Sequence, residues 1–195
     1  MNYWIVGTIV LSLISPISYT KSMLAGKAKP HRVTRLIIWL ASIAGFLGVL
    51  HSTSLPGKII AGIFLARATY LLSMSTKFGA GGFSRLDITC LCIGILALAT
   101  YVVTKNGVYT IALGILADLV GFIPTFVKTY HYPESEDATF FAIEGVAALL
   151  GVFAVAELRA DILFPVYIML CNIVMLTLIY RKKLFWQSSL NSTET

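Results

Sequence analysis

The sequence predicts an all-α integral membrane protein of seven transmembrane helices, arranged as two parallel three-helix repeats joined by a single helix. Composition is the first sign: of 195 residues, 57% are hydrophobic and 12% charged, with a mean hydropathy of +0.85, far more apolar than an ordinary soluble domain. The second is length, because a spanning helix needs roughly 20 mostly apolar residues. Seven such windows can be read, at 3–20, 33–51, 57–75, 87–104, 107–128, 138–157 and 162–180. The third is a pattern in the prolines. They fall into pairs 103 to 109 residues apart, Pro16 with Pro124, Pro30 with Pro133 and Pro56 with Pro165. Duplicated apolar chains with matched helix interruptions are frequent among membrane transporters, where two repeats frame a central site.

The first window follows Met-Asn-Tyr-Trp, without the basic start or clean cleavage site of a secretory signal, and is read as a retained helix. Ser12, Ser15 and Ser18 lie along one side of it, and Pro16 interrupts its backbone bonding near one end. The second window carries Trp39 and ends at His51, an interfacial residue; the third carries Arg67 near its middle. Residues 76–87 are glycine-rich and have the composition of a flexible connection, leading into the fourth window with Asp87 at its N-terminal end, where a carboxylate suits the helix dipole. The fifth window contains Asp118 near its middle and Pro124 near its end, followed by Thr125 and Thr129. Either back-bonding to helix carbonyls or a polar lining would occupy these hydroxyls and those of helix one. The acidic loop Pro133–Asp137 precedes the sixth window, with Ser135 or Asp137 as its cap. Glu144 lies in the sixth window and Asn172 in the seventh.

Local sequence extends the repeat. Pro16 is followed by Lys21 and Pro124 by Lys128, Thr34 precedes Trp39 as Thr139 precedes Glu144, and Leu55-Pro56-x-x-Ile59 recurs as Phe164-Pro165-x-x-Ile168. The organisation is therefore a first repeat over 1–75, a linker with helix four over 76–106, a second repeat over 107–183 and a tail over 184–195. Three helices are an odd number, so the fourth crossing is what restores a parallel orientation to the second copy. Pro16 and Pro124 are the expected hinges.

Loop charges predict the orientation. Lys21, Lys27, Lys29, Arg32, Arg35, Lys77, Arg85, Lys128, Arg181, Lys182 and Lys183 fall on one side, against Lys58, Lys105 and Arg159 on the other. The positive-inside rule then puts the N-terminus outside and the C-terminus in the cytoplasm. The formal charge of +6 is a topology signal, which argues against a nucleic-acid partner. A bacterial inner membrane fits the short loops, and self-association is left open. Cys90, Cys92 and Cys171 lack metal-ligand spacing and read as small core residues, so no metal site, disulfide or cofactor is expected.

Seven helices in a three-one-three arrangement, N-outside, with Pro16 repeated as Pro124, resemble the PQ-loop superfamily, which includes the SWEET sugar transporters and the PnuC-type vitamin transporters. The eponymous dipeptide is absent, since Pro16 precedes Ile17 and Pro124 precedes Thr125. The resemblance implies a SWEET-like fold with a substrate site between two triple-helix bundles that rock to give alternating access. By approximate position Trp39 and Asn172 match two of the four residues around a SWEET substrate, while Glu144 and Ile63 replace the other two. That exchange disfavours a neutral sugar.

Charge at the bilayer centre costs at least ~2.5–3.5 kcal/mol even on lenient scales, so buried ionisable residues mark function by default. Arg67 and Trp39 from the first repeat, with Asp118, Glu144 and Asn172 from the second, are accordingly the expected substrate-binding set. One cation against two acids suits a charged, zwitterionic or multiply hydrogen-bonding solute and leaves one carboxylate able to hold a proton. The expected function is transport of such a small solute. The alternative is a non-transporting membrane receptor or assembly protein whose buried charges only hold helices together. An enzyme is disfavoured by the lack of a nucleophile-and-base set, and a retinal protein by the lack of a lysine in the seventh window.

Overall fold

The computed structural model describes residues 3–50, 55–81, 85–104, 107–155 and 162–191. They form seven α-helices: α1 (Tyr3–Leu24), α2 (Arg32–Leu50), α3 (Leu55–Phe78), α4 (Arg85–Thr104), α5 (Gly107–His131), α6 (Ala138–Val155) and α7 (Leu163–Asn191), with a 3₁₀ turn at Pro133–Ser135. Six of them, all but α4, contain described stretches long and apolar enough to cross a bilayer. His51, Lys105 and Arg159 lie outside the described residues, as does the centre of the glycine-rich connection at 82–84.

Polarity runs from the inside outwards. Leu13, Ile17, Val127, Phe153, Leu170 and Ile173 are exposed, while Thr8, Ser12, Ser15, Asp118, Glu144 and Asn172 are buried. In water that distribution would waste the hydrophobic effect. In lipid it is the stable one, because hydrocarbon faces the apolar side chains and the protein interior supplies partners for the polar ones. The chain is built as an integral membrane protein.

The helices close a ring in the order α1, α3, α2, α5, α7, α6 and back to α1, with α4 outside it against α2 and α5. Small residues let the two long seams approach. Gly7 of α1 faces Leu150 of α6, where Thr8 donates its hydroxyl to the Ala147 carbonyl at 3.2 Å; Gly114 and Gly121 of α5 face Ala44 and Ile37 of α2. At Gly121 a Cβ would come within 2.7 Å of the Ile37 side chain, which is fully buried. Gly121→Val is therefore expected to destabilise the protein by about 1–3 kcal/mol through overpacking. A matching fall in the midpoint of thermal unfolding in detergent checks this.

The structure adds detail to three local features. α1 and α5 run unbroken through Pro16 and Pro124, although each proline still lacks the N–H that would bond the carbonyl four residues back. The glycine-rich connection is pinned where it is described: Ala80 donates its N–H to the Pro30 carbonyl at 3.0 Å and accepts from the Arg32 N–H at 3.2 Å. A Cβ at Gly79 would meet that Pro30 oxygen at 2.8 Å, and Gly81 takes a φ of +99°, so these glycines answer to close approach and turn geometry rather than to looseness. Finally, the segment assigned to the tail from residue 184 continues α7 as far as Asn191.

Candidate functional site

The interior of the ring holds a cavity lined by Arg35, Ser42, Arg67, Asp118, Glu144 and Asn172, with Phe122, Phe140, Phe141, Phe164 and Cys171 among its apolar walls. Helical spacing explains how each element contributes. On α2 the lining positions are Arg35, Ile38 and Ser42, steps of three and four residues that stay on one face. Phe140, Phe141 and Glu144 do the same on α6, and Ile168, Cys171 and Asn172 on α7. The free space is about 30 Å³, enough for only a couple of water molecules.

At its centre Arg67 of α3 forms an ion pair with Glu144 of α6, and the Ser15 hydroxyl of α1 donates to the same carboxylate. Arg67 also lies over the Phe64 ring, 5.0 Å from its centroid. Three helices thus meet on one buried carboxylate that is 1% exposed. Asp118, across the cavity on α5, accepts the Tyr167 hydroxyl of α7 on Oδ2 at 2.7 Å, while its buried Oδ1 has no hydrogen-bond partner. Asn172 turns back on its own helix, donating to the Ile168 carbonyl at 2.7 Å, and Ser42 does likewise to Ile38 at 2.8 Å. Both side chains line the cavity.

Four of the five expected substrate residues, Arg67, Asp118, Glu144 and Asn172, line this one cavity. Trp39 does not. Its indole N–H donates to Thr69 Oγ1 at 3.0 Å on a partly exposed flank of α2 and α3, because it sits one residue, about 100° of helix rotation, away from Ile38 on the lining face. The charge count changes as well. Arg35, assigned from sequence to the basic loop, lies inside α2 and enters the cavity, with its guanidinium 4.8 Å from the Tyr19 ring centroid and 5.8 Å from that of Phe140. Two cations therefore face two acids, and the expected excess of negative charge is absent. The spacing of Arg35 to Ile38 and Ser42 carried the signal that it belonged to the inner face. Tyr167 had a comparable one, four residues before Cys171 and five before Asn172.

The hydroxyls divide between the two roles open to them: Ser15 joins the site, Ser18 reaches Asp137 of the acidic loop, and Thr129 bonds back to the Thr125 carbonyl at 2.8 Å and reaches Met175 Sδ at 3.9 Å. Of the cysteines, Cys171 is buried against the cavity, whereas Cys92 is exposed on α4 and is no core residue.

At the basic end of the bundle a set of side-chain contacts ties the elements together. Tyr19 stacks on Phe140 at 4.6 Å and donates its hydroxyl to Glu136 at 2.9 Å. Lys128 ties Glu136, at 2.9 Å, to the Lys29 carbonyl, at 2.8 Å, and so joins the loops after α1 and after α5. Asp137 caps α6 through the Phe140 N–H at 2.8 Å while accepting the hydroxyls of Ser18 and Ser22. In comparisons with known proteins, no family model, curated protein or solved structure matches this chain.

Proposed function

We propose that this protein is a membrane transporter of a small polar or charged solute, working by alternating access between a bundle of α1–α3 and a bundle of α5–α7. The observation that carries the reading is the buried cavity between them, where four charged side chains and Asn172 converge at a depth at which charge is costly. A solute between the bundles would exchange its hydration for these groups.

The packing order supports parallel repeats. Exchanging α1, α2 and α3 for α5, α6 and α7 maps the ring of neighbours onto itself, the α1–α6 seam onto α5–α2. Gly7 against Leu150 has its counterpart in Gly114 against Ala44, shifted by 107 and 106 residues. By that shift Glu144 corresponds to Ile38 rather than to Trp39, which accounts for the position of Trp39 outside the cavity. α4 breaks the symmetry as a linker crossing would. The likeness to the PQ-loop architecture agrees with this reading, and Pro16 and Pro124, with their missing backbone bonds, are the proposed points of flexure.

On this reading the Tyr19, Lys128, Glu136 and Asp137 contacts across the basic end form the gate on that side. A receptor or assembly protein is the second reading, favoured by the Arg67–Glu144 pair, which with Ser15 looks after its own charge. Uptake of radiolabelled solutes into liposomes containing the purified chain separates the two, since only a transporter accumulates solute behind the bilayer.

The orientation proposed, in a bacterial inner membrane, is N-terminus outside. Single cysteines at 27 and 58 are expected to label with an impermeant maleimide from the cytoplasmic and the outer side respectively. Strong labelling of position 27 in intact cells reverses the orientation.

A further inference from the structure

We infer that the cavity takes a dipolar solute, with its anionic group at Arg35 and its cationic group at Asp118. This deepens the proposed function and rests on the same cavity. Among the described residues the carboxylates paired with a lysine or arginine are Glu144 with Arg67 and Glu136 with Lys128. Arg35 belongs to neither pair, and its guanidinium lies against the faces of Tyr19 and Phe140. Asp118 is 2% exposed, has one oxygen satisfied by Tyr167 and keeps the other without a partner. With Arg67 paired to Glu144, Arg35 and Asp118 are the charged side chains lining the cavity that stand outside a close ion pair.

Their placement sets the kind of dipole. On the α2–α5 seam Ile37 lies against Gly121, and Ala41, Ala44 and Gly45 against Gly114, so Asp118 stands level with about residue 40 of α2. Arg35 is about five residues further along, roughly 7–8 Å at the helical rise. With the two positions at different levels of the bundle, a solute whose ammonium and carboxylate are separated by several carbons fits better than an α-amino acid, where both sit on one atom. Phe122, Phe141, Ile168 and Cys171 offer apolar wall to the chain between them. Because the cavity has room for only a couple of waters, such a solute enters only as the bundles part, which couples binding to opening.

The test uses the full chain in neutral-lipid nanodiscs, with Cys90→Ser and Cys92→Ser so that Cys171 is the sole thiol. 4-Aminobutyrate, butyrate, butylamine and erythritol are compared by the shift in thermal unfolding and by the protection of Cys171 from maleimide. 4-Aminobutyrate is expected to bind about tenfold or more tightly than either half-molecule, as one charge-assisted contact is lost in each. Arg35→Gln should remove its advantage over butylamine, Asp118→Asn its advantage over butyrate, and Arg35→Lys should retain part of the first. Equal binding of erythritol, full binding of one half-molecule, no binding of 4-aminobutyrate, or an unchanged preference in both variants overturns the inference. Liposome uptake separates it from the transport reading. Binding without uptake sinks transport and leaves the dipolar site, whereas uptake of erythritol but not 4-aminobutyrate does the reverse.

Discussion

Arg67→Ala is expected to destabilise the protein by about 3–5 kcal/mol, because it strands the Glu144 carboxylate in the centre of the bundle with only the Ser15 hydroxyl for company. The loss belongs mainly to the orphaned charge rather than to the pair. Glu144→Gln should therefore restore much of it when added to Arg67→Ala, since an amide costs far less to bury than an ion and can still bond Ser15. Thermal and denaturant unfolding of the two single variants and the double variant in detergent measures the coupling. If the double variant is as unstable as Arg67→Ala alone, the pair does not act as one unit. Solute binding reads the other half of the question: a purely structural pair leaves the affinity of the refolded double variant intact, and a binding pair does not.

The helices were legible in the sequence because apolar length is a strong signal, and each of the seven expected windows overlaps one observed helix. Four of the polar positions picked out from sequence, Arg67, Asp118, Glu144 and Asn172, line one cavity. Rotational phase was the weak point. A difference of one residue turns a side chain by about 100°, so Trp39 and Ile38 are nearly indistinguishable by repeat spacing yet face different surroundings. Arg35 was obscured by a different effect: the positive-inside rule explains any basic residue near a helix end, and that sufficient explanation concealed a guanidinium directed inward. The pinning of Ala80 to Pro30 and Arg32 is a tertiary contact between two loops, and composition alone reported only their glycines.

Asp137→Ala is expected to loosen the basic end more than any other single change there. Its carboxylate does three things at once, capping α6 at the Phe140 N–H and accepting the hydroxyls of Ser18 and Ser22 from α1. A lost N-cap costs about 0.5–2 kcal/mol, and hydrogen bonds to a charged acceptor contribute about 1.5–3 kcal/mol each when sheltered. Asp137 is only half-buried, which reduces the second contribution, so a total of about 2–4 kcal/mol follows. Asp137→Asn separates the components, since its amide oxygen can still cap the helix and accept a hydroxyl but carries no charge. The same substitution bears on the gate. With α1 released from α6, the Tyr19–Phe140 stack loses its frame, and Cys171 in the cavity should react faster with a maleimide added from that side. An unchanged Cys171 rate alongside the expected loss of stability would make Asp137 a cap and a clamp for the fold, with the closure of the cavity resting on Tyr19, Glu136 and Lys128 alone.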